Sequence, residues 1–197
     1  MLIDTHCHLY YDNLFENLDQ VLARARGQGV TKFICVGTNL SDSKKSLTIS
    51  DKYEGVFASV GIHPHDSKDA PENFVEEIYD LMKHKNIVAL GEMGLDYFRN
   101  LSEPKIQKRV FRAQLGIAKT LKKPVILHNR DADNDLLKIL SEYPDVKGIA
   151  HCFSSTLEVA ERLVSLGYFI SFSGNITYKN SHLPQVARKV PLHRLLI

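Results

Sequence analysis

Long apolar runs are missing from this 197-residue chain: nothing approaches the roughly 20 consecutive apolar residues that a bilayer-spanning helix needs. The N-terminus also lacks the basic segment and apolar run of a secretory leader, because Asp4, His6 and His8 come too early. Cysteine is scarce. Cys7, Cys35 and Cys152 are odd in number and have no C-x-x-C spacing, which argues against a disulfide framework. These absences predict a soluble, cytoplasmic protein of a reducing compartment, with its thiols as small inert core residues. A marked excess of either charge sign is missing as well, with 25 Lys and Arg against 23 Asp and Glu. A net charge of +2 is too small to attract nucleic acid by bulk electrostatics, so a bound phosphate must be recognised by the site itself. With 44% hydrophobic residues and no linker or low-complexity tract, residues 1–197 read as a single domain around one core. No membrane association and no obligate protein partner is indicated.

What the chain does contain is alternation. β-rich runs at 2–6, 32–37, 56–63, 86–92, 124–128, 148–151, 168–174 and 194–197 give eight candidate strands. Amphipathic stretches lie between them. NLDQVLARARGQG closes on Gly27 and Gly29, and Ser155 with Glu158 reads as a capping box opening TLEVAERLVSLG. EPKIQKRVFRAQLGIAKTLKK is the longest helix, with Phe111, Leu115 and Ala118 on one face. Such βα units imply a parallel sheet, and eight of them favour a (β/α)₈ TIM-type barrel over a doubly wound sheet. Such barrels usually take about 250 residues. Here the eighth strand is followed at once by Ile197, so the last βα unit is expected to be incomplete.

Barrel enzymes carry their catalytic groups where strands end. Read in order, those ends present His6 and His8, His63 and His65, Glu92, His128 and His151. Histidine fills 9 of 197 positions, so its recurrence at four strand ends is not a matter of composition. All these side chains bind divalent cations. Residues i and i+2 of a strand face one side, so His6 and His8 can both enter the mouth while Cys7 faces the helices. Glu92 ends the apolar run IVALGE, where a lone buried carboxylate costs several kcal/mol unless it is paired or metal-bound. Its two oxygens can bridge two cations.

The motifs T-H-C-H-L (5–9), G-I-H-P-H (61–65), G-E-M-G-L-D-Y (91–97), V-I-L-H-N-R (125–130), H-C-F-S (151–154) and I-S-F-S-G (170–174) together resemble the TatD family of metal-dependent deoxyribonucleases. That family belongs to the amidohydrolase-type barrels. The resemblance runs in order along essentially the whole chain. It implies a (β/α)₈ barrel, two divalent cations and hydrolysis of phosphodiester bonds in DNA. Carried over residue by residue, His6 and His8 would hold a first metal, Glu92 would bridge both, and His128 and His151 would hold the second. The family's aspartate after the eighth strand has no counterpart before Ile197, which implies a weakened first site and reduced turnover.

The implied mechanism is two-metal hydrolysis at a strand end, because a barrel mouth admits a terminus more readily than a long duplex. Glu92 is its catalytic residue. The cations stay open among Mg²⁺, Mn²⁺ and Zn²⁺: imidazoles suit the softer ions, yet mixed His/carboxylate nuclease sites often use magnesium. His63, His65 and Arg130 are the expected substrate contacts, Arg130 offering a fork to phosphate or simply facing solvent. Tyr97 and Phe98 can stack a base or pack a loop, and Asp96 can serve the site or turn the chain. Two other readings remain: a hydrolase of small amides or phosphoesters on the same metals, and an inactive metal-binding fragment. Many amidohydrolase-type barrels place a lysine where this chain has Glu92, which favours the nuclease.

Overall fold

The structure is a computed structural model that describes residues 1–197. Eight strands, β1 (Leu2–Cys7), β2 (Val30–Val36), β3 (Val56–Val60), β4 (Ile87–Asp96), β5 (Val125–Arg130), β6 (Gly148–Ala150), β7 (Phe169–Ser171) and β8 (Leu195–Leu196), form one parallel sheet in sequence order. The helices are α1 (Asp12–Phe15), α2 (Leu18–Gly27), α3 (Leu40–Lys52), α4 (Phe74–Met82), α5 (Pro104–Leu121), α6 (Asp133–Ser141), α7 (Leu157–Ser165) and α8 (Leu183–Ala187). The architecture is the expected α/β barrel, a curled sheet with helices on its outside. No helix is long and apolar enough to cross a membrane.

Side-chain alternation sorts each strand into an inner and an outer face. On β2, Phe33 and Cys35 pack outward with Leu18, Leu22 and Ile49 of α2 and α3. Val36 turns the other way and meets Ala89 and Ile126 from β4 and β5. On β5, Val125 and Leu127 join the large outer core while Ile126 faces inward. His128 follows Ile126 by two, and so belongs to the inner face at the C-terminal end. Cys7 faces outward, as expected, and donates to the Ile34 carbonyl at 3.3 Å.

Helix α5 begins at Pro104, whose missing N–H is harmless in the first turn. Its buried face holds Val110, Phe111, Leu115, Ile117 and Ala118, and also Gln107 and Gln114. Burying each large apolar side chain contributes about 1.5–3 kcal/mol. The glutamines act as clamps. Gln114 accepts from the Ile62 amide at 2.8 Å and donates to the Ile62 carbonyl at 3.0 Å. Gln107 does the same for Asp96, at 2.8 and 3.0 Å, and also reaches the Ser102 carbonyl. One helix thus fixes the chain just before His63 and at the end of β4.

Two sequence expectations are corrected. Helix α7 is capped by Thr156, whose hydroxyl accepts from the Val159 amide at 3.4 Å, and not by a Ser155–Glu158 box. Ser155 is occupied elsewhere, donating to the Asp133 carboxylate at 2.5 Å. Strand β4 also does not end at Glu92 but continues to Asp96. Its pairing with β5 shifts register between Leu90 and Met93, and this irregularity around Glu92 lets an inner-facing carboxylate sit mid-strand.

Candidate metal centre

Glu92 lies 6% exposed at the middle of the mouth, and histidines approach each of its oxygens. On one side, Glu92 Oε2 is 3.3 Å from His6 Nε2, which is 3.2 Å from His8 Nε2. On the other, Glu92 Oε1 is 3.1 Å from His128 Nδ1 and 3.8 Å from His63 Nε2. His6, His8 and Glu92 form one set of donor atoms that all lie within 4.8 Å of one another; His63, Glu92 and His128 form a second. Burial opposes the charge on Glu92, but hydrogen bonds from His128 and His6 outweigh it and hold the carboxyl well below its usual range.

The backbone sets the tautomers. His8 Nδ1 lies 2.9 Å from the Val36 carbonyl, which can only accept, so this nitrogen carries the proton. The lone pair of neutral His8 is then on Nε2, facing His6 and Glu92. Burial, then the neighbouring His6, lowers the pKa of His8 and keeps the ring neutral. His63 has the opposite arrangement. Its Nδ1 accepts the His65 amide at 3.2 Å, so a neutral His63 carries its proton on Nε2 and presents N–H toward Glu92. Burial pushes its pKa down to about 3. That tautomer suits a donor to the carboxylate or to a bound anion rather than a ligand.

His151 follows β6 and stacks on His6, with ring centroids 3.4 Å apart and planes 7° from parallel. Burial, then His6, lowers its pKa to about 3, so its ring is also neutral. His128 differs. Burial works against its charge, but hydrogen bonds to Asp96 (Nε2 to Oδ2, 3.0 Å) and Glu92 raise its pKa to about 9. Asp96 is 1% exposed and also accepts from His65 Nε2 at 2.8 Å and from the Arg99 amide at 2.7 Å. Burial raises the Asp96 pKa, yet His128, the Arg99 amide and His65 together bring it below its ordinary value. Arg130 is exposed at the end of β5, with its guanidinium carbon 3.7 Å from the Phe98 ring centroid. Tyr97 packs aside and donates to Asp135 at 2.6 Å.

This donor set fits divalent cations. Two ligands about 2.0–2.1 Å from a tetrahedral ion stand roughly 3.3–3.4 Å apart, and the His6–His8 and His6–Glu92 separations are 3.2 and 3.3 Å. A lone pair on His8 Nε2 and an ionised carboxylate oxygen, each this close to His6 Nε2, repel unless a proton or cation sits among them. Buried His6 Nδ1 has no hydrogen-bond partner, so the ring is held by what its other nitrogen meets.

Asp96 and its clamp Gln107 were the parts least visible from sequence. The signal was present, since glutamine at 107 and 114 falls seven apart on an otherwise apolar helical face. Asp96 fixes the orientation of His128, and losing such an outer hydrogen-bond partner costs about 10–100-fold in metal affinity. Asp96→Asn is expected to weaken Mn²⁺ binding by that factor in calorimetry while leaving the circular dichroism spectrum unchanged. An unchanged affinity would contradict the assignment.

A parallel barrel whose mouth gathers imidazoles around one buried carboxylate defines the class of metal-dependent barrel hydrolases. The chain matches the family model described as TatD related DNase over residues 3–197. It is 38% identical over 200 residues to the uncharacterized metal-dependent hydrolase YabD of Bacillus subtilis (strain 168), covering 100% of this chain and 78% of that protein. It is 34% identical to the 3'-5' ssDNA/RNA exonuclease TatD of Klebsiella pneumoniae (strain 342), covering 100% of this chain and 76% of that one. The crystal structure of YJJV, a TatD homolog from Escherichia coli K12, superposes with a TM-score of 0.94 at 32% identity, over 100% of this chain and 77% of that one. The protein belongs to the TatD family and is a metal-dependent hydrolase.

Proposed function

We propose that this chain hydrolyses phosphodiester bonds of DNA at single-stranded ends, using two divalent cations at the mouth. The observation that carries the reading is the placement of Glu92, with one carboxylate oxygen toward His6 and the other toward His128. His6 and His8 would hold one cation with Glu92 and His128 the other; His151, which stacks on His6 and lies outside both donor sets, would complete the second site. Bound there, Mg²⁺, Mn²⁺ or Zn²⁺ would supply Lewis-acid polarisation of the phosphate and a water of lowered pKa.

The chain's own groups do the positioning. Glu92 is fixed mid-strand and cannot drift, so it sets the spacing between the two halves of the site. The Val36 carbonyl keeps the His8 lone pair aimed inward. Asp96 orients His128 from behind. The Nε2–H of His63 supplies a neutral donor next to Glu92, suited to a phosphate oxygen. His65 and Arg130 line the rim, and Arg130 brings a permanent positive charge to a substrate of repeated negative charge. The TatD relative's name as a 3'-5' ssDNA/RNA exonuclease supports this substrate class.

The test is a metal count by mass spectrometry on the purified chain, with nucleotide release from a single-stranded oligonucleotide measured after loading with Mn²⁺. Two metals per chain and release from one end support the reading. Metal binding without any release overturns it.

Metal loading is also expected to depend on pH. A cation shared by Glu92 and His128 must displace the proton that His128 carries below about pH 9. Affinity for Mn²⁺ should therefore rise from pH 6 to about pH 9 and level off above it, read by calorimetry in a series of buffers. The metal-free fold responds with the opposite sign. His128 has a folded pKa of about 9 against an ordinary 6.5, so its contribution is complete below 6.5 and lost as pH rises through about 9.

A further inference from the structure

The exposed aromatic side chains are not spread evenly over the molecule. Tyr11, Phe15, Phe98 and Tyr178 are the aromatics among the large exposed apolar residues, and each lies in a segment that follows a strand at the C-terminal mouth. Tyr11 and Phe15 follow β1, Phe98 follows β4 and Tyr178 follows β7. The large apolar residues exposed toward the opposite end, such as Leu2 and Leu192, are aliphatic. Phe15 lines a groove between α2 and α3, but Tyr11 and Phe98 touch groups of the polar centre; leaving such rings in water forfeits the stabilisation of burying them, which calls for a ligand with flat apolar faces.

Two of these rings are backed by groups already placed at the mouth. Tyr11 is 50% exposed, and its ring stacks on His8 with centroids 5.1 Å apart and planes 19° from parallel. Phe98 is 57% exposed, with the Arg130 guanidinium carbon 3.7 Å from its centroid. Each ring is thus held, Tyr11 by His8 and by an edge contact with Tyr10 at 5.1 Å and Phe98 by Arg130, and each still keeps half or more of its surface open to a partner. Tyr178 is 71% exposed. Strands 1 and 4, and strands 4 and 7, stand three apart in the eight-stranded sheet, so Phe98 lies across the entrance from Tyr11 and Tyr178.

We propose that Tyr11 and Phe98 are nucleobase-stacking platforms that hold the unpaired terminal nucleotides of a strand over the metal centre, with Tyr178 guiding the chain beyond them. The proposal rests on the phosphodiesterase reading and adds what selects the substrate. Every base has a π-face, so stacking recognises single strands without reading sequence, whereas pairing holds successive bases of a duplex stacked on one another and unable to splay onto separate rings. Arg130 then serves two groups at once, its plane on Phe98 and its N–H edge toward a phosphate. Recognition falls on the base as well as on the backbone.

The test compares binding of a fluorescein-labelled oligothymidylate with a strand of equal length whose terminal nucleotides are abasic, by anisotropy without added metal. The wild type should bind the base-bearing strand more tightly by a factor of about 10 or more, the scale of base–aromatic stacking. Phe98→Ala and Tyr11→Ala should each remove most of that preference, and Phe98→Tyr and Tyr11→Phe should keep it. Equal binding of both strands by the wild type, or alanine variants that retain the preference, would overturn the proposal. A separate outcome addresses the reaction. A base-dependent preference with no nucleotide release after Mn²⁺ loading supports the platforms and contradicts the phosphodiesterase. Release with no dependence on the rings does the reverse.

Discussion

Glu92→Gln is expected to stop nucleotide release from a single-stranded oligonucleotide and to lower the metal content of the purified chain. The amide keeps the volume and one acceptor oxygen but loses the charge and one of the two oxygens that face the histidine sets. His128 then keeps one anionic neighbour, Asp96, where it had two. Loss of a single transition-state-stabilising donor costs on the order of 10²–10³ in rate, and a bridging group removed from both halves of the site should exceed the upper figure. The measurement pairs a rate with a metal count, because the account requires both to fall. Retention of two metals with normal release would show that the carboxylate is merely structural.

Gly94→Ala is expected to be the most damaging single-atom addition near the centre. Gly94 stands opposite His128 in the β4–β5 ladder and has φ +149°, a region that favours glycine. A Cβ there would meet the His128 carbonyl oxygen, which is backbone and cannot swing away. Strained backbone costs about 1–3 kcal/mol, and pushing the strands apart adds to this. At roughly 2–4 °C per kcal/mol for a chain of this size, the melting temperature should fall by about 10 °C. Metal affinity should fall with it, since His128 rides on the displaced strand. Gly116→Ala provides the contrast: a Cβ there meets nothing within 4 Å, and alanine favours the helix. Equal melting temperatures for Gly94→Ala and the wild type would contradict the packing described.

Strand order, the number of βα units and the donors at the strand ends were legible because each has a local signature. Apolar runs such as IVALGE and PVILH end abruptly on groups that a core does not accept unaided. Helix α5 was legible because Phe111, Leu115 and Ala118 repeat at helical spacing. Helix α3 was less so, since its buried face holds Ser43, Ser46 and Ser50 beside Ile49, and serine leaves no apolar stripe to read. The sequence alone ends β4 at Glu92, because a glycine and a carboxylate closing an apolar run look like a strand end. The irregular pairing that turns it inward is a property of two strands together. The tautomers of His8 and His63 depend on the Val36 carbonyl and the His65 amide, and no residue pattern announces such bonds. Asp96 was seen as a residue but not as the anchor of His128, because that role needs Gln107 to hold its backbone from a helix that starts eight residues further on.

The central claim is that one carboxylate stands between two cation sites. Anomalous X-ray diffraction from crystals soaked in Mn²⁺, recorded at the manganese edge, tests it most directly. Two peaks about 3.5–4 Å apart are expected, one on the His6 side and one on the His128 side of the Glu92 carboxylate. A single peak, or two that share no contact with Glu92, would contradict it.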